Sequence, residues 1–203
     1  MKCFYLVTIF LLVSSSIAQH IIYINDEDIY DYYGSNWAAD GNDDSSGSEE
    51  GLRESLSFLE DNGGGTIYIN TTMPIDIIYG ALTIYSNDNN SIPISIIGIP
   101  DEFTNELPTI NFGSYYLYSF RNINITLENL NIVGNDEYTY NGYYYIDGKQ
   151  YVIGYNGGCI GVENGTLTVN NCTFTNCEAS NSGGAIYVTN SDLLVTNSVF
   201  ENN

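Results

Sequence analysis

Gly157 to Cys177 reads GGCIGVENGTLTVNNCTFTNC, and Gly183 to Asn203 reads GGAIYVTNSDLLVTNSVFENN. Laid over one another without a gap, the two segments share 10 of 21 residues, an internal repeat of 26 residues. Within each copy the apolar residues sit two apart, Ile160 with Val162 and Leu167 with Val169, as a strand with one buried face requires. Between these short strands lie Asn-Gly, Asn-Asn and Asn-Ser, which accept the left-handed and turn conformations that bend a chain without a helix. One copy cannot bury its own apolar stripe. Copies stacked at the ~4.8 Å strand spacing place Ile on Ile, Val on Val and Phe on Phe, which predicts a coiled solenoid.

The pattern extends upstream. NITLENLNIVGN fits the same template with Ile125 under Leu167, Leu127 under Val169, Asn129 under Asn171 and Ile132 under Phe174, at an offset of 42 residues. The 16 extra residues fall between Asn135 and Asn156, a Tyr-rich stretch read as an excursion at about 136–156. There Tyr143-Tyr144-Tyr145-Ile146 and Lys149-Gln150-Tyr151-Val152 flank Asp147-Gly148, a two-residue hairpin signal. TIYIN (66–70), ISIIG (94–98) and TINF (109–112) are earlier β-branched runs, so the solenoid is expected over 66–203. A β-sandwich would not produce a gapless 26-residue repeat, and the Leu spacing of a leucine-rich repeat is missing.

GGCI and GGAI, followed by FTNC and FENN, resemble the Gly-Gly-Ala-Ile and Phe-x-x-Asn motifs of polymorphic outer-membrane-protein-type repeats, and the chain also resembles pectate-lyase-like β-helix families. The resemblance implies an all-β, right-handed parallel β-helix that is secreted or displayed on a cell surface. The motifs cover residues 157–203, with weaker support from about 122; Cys159 stands where the motif has Ala and Cys177 where it has Asn. Such motifs are core and turn positions and carry a fold better than a function. β-Helices of this kind often begin with a capping helix. SEEGLRESLSFLE (48–60) fits that role, with Leu52, Leu56 and Leu59 on one helical face, Ser48 as candidate N-cap and a Gly63-Gly64-Gly65 stop. The sequence stops at Asn203 inside the Phe-x-x-Asn motif without a second cap, so an uncapped or truncated end is expected.

MKCFYLVTIFLLVSSSIAQH opens the chain with Lys2, an apolar run and small residues from Ser14 to Ala18, which reads as a signal peptide over 1–18 and a secreted product. That run is shorter than the ~20 residues a membrane-spanning helix needs. An acidic segment with the capping helix then fills 19–65. Cleavage would remove Lys2 and no acid, moving the formal charge from −21 to −22. This excludes nucleic acid as a partner, because phosphate neutralisation needs clustered Lys and Arg. It would attract cations, calcium above all; Asp40, Asn42 and Asp44 imitate the start of a calcium loop, but Gly51 sits where the bidentate Glu belongs. Metal ligation is otherwise not expected.

Polysaccharide lyases on this fold use acids with calcium and an Arg or Lys base, and hydrolases gather several Asp with His and further basic residues. Here Arg53 lies in the capping helix, Lys149 in the hairpin and His20 at the start of the mature chain, which leaves Arg121 near the coils and no complete catalytic constellation. The expected function is therefore non-catalytic: adhesion, recognition or a structural role, with Tyr143, Tyr144, Tyr145 and Tyr151 as contact residues for a glycan or protein surface. The alternative is a carbohydrate-active enzyme or an inactive N-terminal fragment of one. Five Asn-x-Ser/Thr sequons, at Asn70, Asn89, Asn124, Asn164 and Asn171, are candidate N-glycosylation sites, although Asn171 also belongs to a repeated Asn171/Asn197 pair expected to form an inward or turn ladder. Of Cys159, Cys172 and Cys177, the pair Cys172/Cys177 could join neighbouring turns as a disulfide; stacked unpaired thiols fit as well.

Overall fold

The computed structural model describes residues 20–25, 47–77, 82–86, 91–112, 118–134, 142–146, 149–153, 158–179 and 182–203. Strand β1 (His20–Asn25) comes first and helix α1 (Gly47–Asp61) follows. The chain then repeats a three-strand passage. β2 (Gly65–Asn70), β3 (Ile75–Ile77) and β4 (Leu82–Tyr85) are succeeded by β5 (Ile92–Gly98), β6 (Thr109–Phe112) and β7 (Tyr118–Arg121). β8 (Ile123–Glu128) and β9 (Asn131–Val133) precede a hairpin, β10 (Gly142–Ile146) and β11 (Lys149–Ile153). After it come β12 (Ile160–Glu163), β13 (Thr166–Asn170), β14 (Thr173–Thr175), β15 (Ile186–Thr189), β16 (Asp192–Thr196) and β17 (Val199–Glu201).

These strands form three parallel sheets. The first runs β1-β2-β5-β8-β13-β16, the second β3-β6-β9-β14-β17 and the third β4-β7-β12-β15, so the chain visits the sheets in rotation and each passage lays one strand, a rung, on each. Three parallel sheets and one helix among the described residues are compatible with a β-solenoid.

The register matches the repeat. Leu167 pairs with Ile125 at the 42-residue offset and with Leu193 at the 26-residue offset; Val169 pairs likewise with Leu127 and Val195, and Phe174 with Ile132 and Phe200. Alternation does the sorting: along β8 and β13 every second side chain is buried. The buried residues join in one apolar core from Ile24 to Ala185, with the Phe112, Phe120 and Phe174 rings fully enclosed.

Asparagine makes the corners. Asn122, Asn164 and Asn190 precede the first sheet at φ 54, 53 and 49°, and Asn129, Asn171 and Asn197 follow it at 55, 51 and 52°. The left-handed conformation costs most residues about 1–2 kcal/mol, and Asn offsets this with short local hydrogen bonds. Four of these corners also stay in the ladder: Asn122 N donates to the Glu163 carbonyl at 2.9 Å, and Asn129 N to the Asn170 carbonyl, Asn164 N to the Thr189 carbonyl and Asn171 N to the Thr196 carbonyl, each at 3.1 Å. Gly165 follows the Asn164 corner because any Cβ there would run into the Ile123 carbonyl.

Helix α1 behaves as its Leu spacing predicts, with Leu52, Leu56 and Leu59 fully buried in the core. It starts at Gly47, so Ser48 lies within the first turn instead of capping it. Gly64 N donates to the Leu59 carbonyl at 2.7 Å and closes the helix at φ +100°, where a side chain would strike the Pro93 carbonyl. The helix packs against β1, β3 and β4. Strand β1 has no counterpart in the sequence reading: HIIYIN adds itself in parallel to the outer edge of β2, with Ile22 beside Ile67 and Ile24 beside Ile69.

The expected excursion is a two-stranded antiparallel sheet apart from the other three, with Tyr144 paired to Tyr151 and Ile146 to Lys149.

Neither reading left open for the cysteines holds: Cys172 and Cys177 are not bonded, and the thiols are not all free. Cys159 is bonded to Cys177, with Cα atoms 5.4 Å apart, and Cys172 is a buried free thiol. The reason is the rung: Cys159 precedes β12 and Cys177 follows β14, so the two flank one passage through the three sheets, whereas Cys172 points into the core between β13 and β14.

Candidate functional site

The faces that can meet a partner are built from the outward residues of the same strands. On the first sheet the column through Ser95, Thr126 and Thr168 presents half-buried hydroxyls, and Thr66, next in the column, is buried. Beside it, outward side chains bond from rung to rung. Thr166 Oγ1 donates to Asn124 Oδ1 at 3.1 Å, Asn170 Nδ2 to Glu128 Oε1 at 3.2 Å, and Thr196 Oγ1 to Asn170 Oδ1 at 3.0 Å. At the edge Asn171 Nδ2 donates to Asn129 Oδ1 at 2.8 Å, while Asn197 Nδ2 reaches back to Asn170 Oδ1 at 3.1 Å. The Asn171/Asn197 pair is thus part of an exposed turn ladder, not an inward one. Asn170, bonded to both neighbouring rungs, keeps little rotamer freedom, so this part of the face is ordered before anything binds.

Arg121 ends β7, where the third sheet sets it beside Glu163. Its Nε donates to Glu163 Oε2 at 2.8 Å, and an Nη approaches the same oxygen at 2.6 Å. The guanidinium is therefore one half of a charge-assisted pair between rungs. The 42-residue offset already implied the pairing, since it carries residue 121 onto 163.

A further exposed feature went unread in the sequence. Between β5 and β6, Asp101 Oδ1 accepts from Thr104 N at 2.7 Å, from Phe103 N at 3.0 Å and from Thr104 Oγ1 at 3.0 Å, while Asp101 N donates to the Glu106 carbonyl at 2.9 Å. The backbone N–H of Thr104, then that of Phe103, hold the Asp101 carboxyl below its ordinary pKa. The turn presents Phe103 with 87% of its surface exposed. The Asp-x-x-Thr-Asn pattern of turn formers was the available signal.

Of the sequons, Asn70 and Asn164 are exposed, Asn124 is half-buried and accepts the Thr166 hydroxyl, and Asn171 donates its amide to Asn129. Asn89, the calcium-loop candidates Asp40, Asn42 and Asp44, and the side chains of Tyr143, Tyr144, Tyr145 and Tyr151 lie outside the described residues. Among the described residues no group of three or more His, Cys, Asp or Glu gathers as metal ligands would, and no helix is long and apolar enough to cross a membrane.

Cys172 differs from Cys159 and Cys177 in chemistry as well as pairing. Burial pushes its thiol up to about 11, against weaker lowering contacts from the Leu130 and Asn170 backbone. A thiol held neutral in this way is a poor nucleophile.

No protein-family model matches the chain, and no curated protein and no solved structure matches it either.

Proposed function

We propose that this chain is a secreted or cell-surface protein whose right-handed parallel β-helix serves adhesion or recognition without catalysis. Two features favour a closed, right-handed coil. The Cys159–Cys177 bond joins points 18 residues apart across a full three-strand passage, and parallel strands joined by crossovers are right-handed in nearly all proteins. The likeness of the GGxI and FxxN motifs to polymorphic outer-membrane-protein-type and pectate-lyase-like β-helices points the same way.

The observation that carries the functional reading is the hydrogen-bonded ladder of Thr and Asn side chains over the first sheet. A flat, pre-ordered row of hydroxyls and amides at the strand spacing suits a partner with regularly spaced hydroxyl or amide groups, such as a glycan chain. The Tyr-rich hairpin and Phe103 would add aromatic contact area at small entropic cost. Arg121, the base candidate of the carbohydrate-active alternative, is bonded to Glu163, which favours a structural role for it.

A glycan array probed with the secreted protein tests this. Binding that falls at least tenfold when Thr126 and Thr168, in the hydroxyl column beside the ladder, are both replaced by Ala supports this face of the first sheet as the contact face. Depolymerisation of an acidic polysaccharide by the same preparation, with or without calcium, would sink the non-catalytic reading. Among the described residues Asn70 and Asn164 are the exposed sequons not tied into the side-chain ladder, and peptide mapping after deglycosylation should find them ahead of Asn171.

A further inference from the structure

One corner of the fold is built on a larger scale than its equivalents. Between the first and second sheets the chain turns with two residues, Asn129-Leu130 after β8 and Asn171-Cys172 after β13, but between β5 and β6 it takes the ten residues 99–108. The extra length is locked. Besides the three bonds that Asp101 Oδ1 accepts from Phe103 and Thr104, Asn105 N donates to the Asp101 carbonyl at 2.8 Å, and Glu106 N donates to Thr104 Oγ1 at 3.3 Å. None of these bonds needs the Phe103 side chain. Yet Phe103, at 87%, is the most exposed large apolar side chain among the described residues. The loop rises from the edge that carries the asparagine ladder, one rung ahead of Asn129. Its base is tied there, with the Pro108 carbonyl accepting from Asn131 N at 2.9 Å and the Leu107 carbonyl from Asn131 Nδ2 at 3.0 Å. Gly98, just before the loop, lies so close to the Asn129 carbonyl that a Cβ would collide with it. The ladder then continues through Asn129 and Asn171, with Glu128 and Asn170 beside them.

We infer that this loop is the selective end of the glycan-binding face and takes an amino sugar, with Phe103 against the sugar and the exposed Glu102 and Glu106 beside its ammonium group. The inference rests on the glycan reading above and narrows it to glycans with free amino groups. An exposed ring offers the C–H face of a sugar a large apolar contact at small entropic cost, and its π face attracts a cation. Charge makes the choice among glycans. Asp101, Glu102 and Glu106 lie in the loop and Glu128 on the next rung, while the sequence has no Lys or Arg between Arg53 and Arg121. An anionic glycan is repelled, an N-acetylated one keeps the ring contact alone, and an amine-bearing one gains both. The carboxylates are exposed, so their share of the attraction is screened by salt. Because the loop is held by its own hydrogen bonds, little ordering remains to be done when the sugar arrives.

Titration calorimetry of the full chain tests this with hexamers of glucosamine, N-acetylglucosamine and galacturonate, and with a lysine hexamer as the control for charge alone. The pH is kept mildly acidic, where the sugar amine is protonated. The glucosamine hexamer should bind at least tenfold more tightly than the N-acetylglucosamine hexamer, the advantage should shrink in high salt, and galacturonate should not bind. Phe103→Ala should weaken both of the first two at least tenfold, with an unchanged midpoint of thermal unfolding, and Phe103→Tyr should retain most of the binding. Glu102→Gln combined with Glu106→Gln should abolish the preference for the free amine and leave N-acetylglucosamine binding as it was. Glycan binding that falls with the Thr126 and Thr168 replacements but ignores Phe103→Ala would overturn the inference and leave the sheet-face reading standing. A lysine hexamer that binds as well as glucosamine, or galacturonate that does, would overturn it too. No binding of any glycan, here or on the array, would sink the glycan reading itself and this inference with it.

Discussion

The rung of β12, β13 and β14 and the rung of β15, β16 and β17 are written in nearly the same residues, and the structure gives them opposite surroundings. Leu167, Val169 and Phe174 are at most 1% exposed; their partners Leu193, Val195 and Phe200 are 45, 38 and 43% exposed. The Phe174 and Phe200 rings stack at 4.9 Å with 5° between their planes, so one contact serves both, but only Phe174 is covered on its other side. Burial here is a property of neighbours and not of the motif. Stability in such a stack is close to a sum over adjacent rungs, and the same substitution should cost more in the middle than at the edge.

Phe174→Ala should therefore destabilise the protein by about 3–5 kcal/mol, while Phe200→Ala should cost about half of that or less. Denaturant unfolding of the two variants checks this, and equal losses would break the comparison. Next in size is the disulfide, which the edge rung lacks. Ala185 and Asn203 stand where Cys159 and Cys177 would be, and the Asn203 side chain bonds the Cys177 N–H at 2.8 Å and the Phe174 carbonyl at 3.0 Å instead. Replacing Cys159 and Cys177 by Ala opens a loop of 18 residues and should cost about 3 kcal/mol, seen as a lower midpoint of thermal unfolding.

The corner asparagines should not follow the same rule. Asn171 and Asn197 have φ of 51 and 52°, and the strain a new side chain would meet there is local. Asn171→Ala and Asn197→Ala should each cost about 1–2 kcal/mol, close to each other, and the Gly variants much less. A large difference between the two Ala variants would show that the corner, too, depends on its neighbours.

The smallest effect at neutral pH belongs to Cys172, whose place in the edge rung is taken by Ser198. Its thiol is raised from an ordinary 9.0 to about 11, so the folded state favours the neutral form. That contribution is fully present below pH 9 and is lost as pH rises from about 9 through about 11. The wild type should lose more stability over this window than Cys172→Ser, and iodoacetamide at pH 8 should label Cys172 only after unfolding.

The same comparison shows what a sequence can disclose. A repeat gives register directly: the offsets of 26 and 42 put Leu193, Leu167 and Ile125 in one column, and the structure has them there. Asp147-Gly148 and the three leucines of α1 were legible because turn chemistry and helical spacing are local signals. The disulfide was not, because Cys172 and Cys177 are closer in sequence but only Cys159 and Cys177 meet, at a corner whose geometry depends on three strands together. Strand β1 escaped because HIIYIN lies outside the repeat and beside a leader-like apolar run, where four apolar residues in six carry no clear alternation. The polar face was visible only in part: the repeated asparagines are evident, but Arg121 with Glu163 and Thr166 with Asn124 needed the 42-residue offset applied to outward positions as well as inward ones.

The central claim, that distant segments stack in this register on one sheet, is tested most directly by a distance. Spin labels at Tyr68 and Thr196, in a Cys172→Ala background, sit on the ends of a ladder through Ile97, Glu128 and Asn170. Four strand steps at ~4.8 Å put the two backbone positions about 19 Å apart, although 128 residues separate them. Pulsed electron resonance should return one narrow distribution near that value, after allowance for the label arms. A broad distribution, or one centred well beyond 30 Å, would contradict the stack.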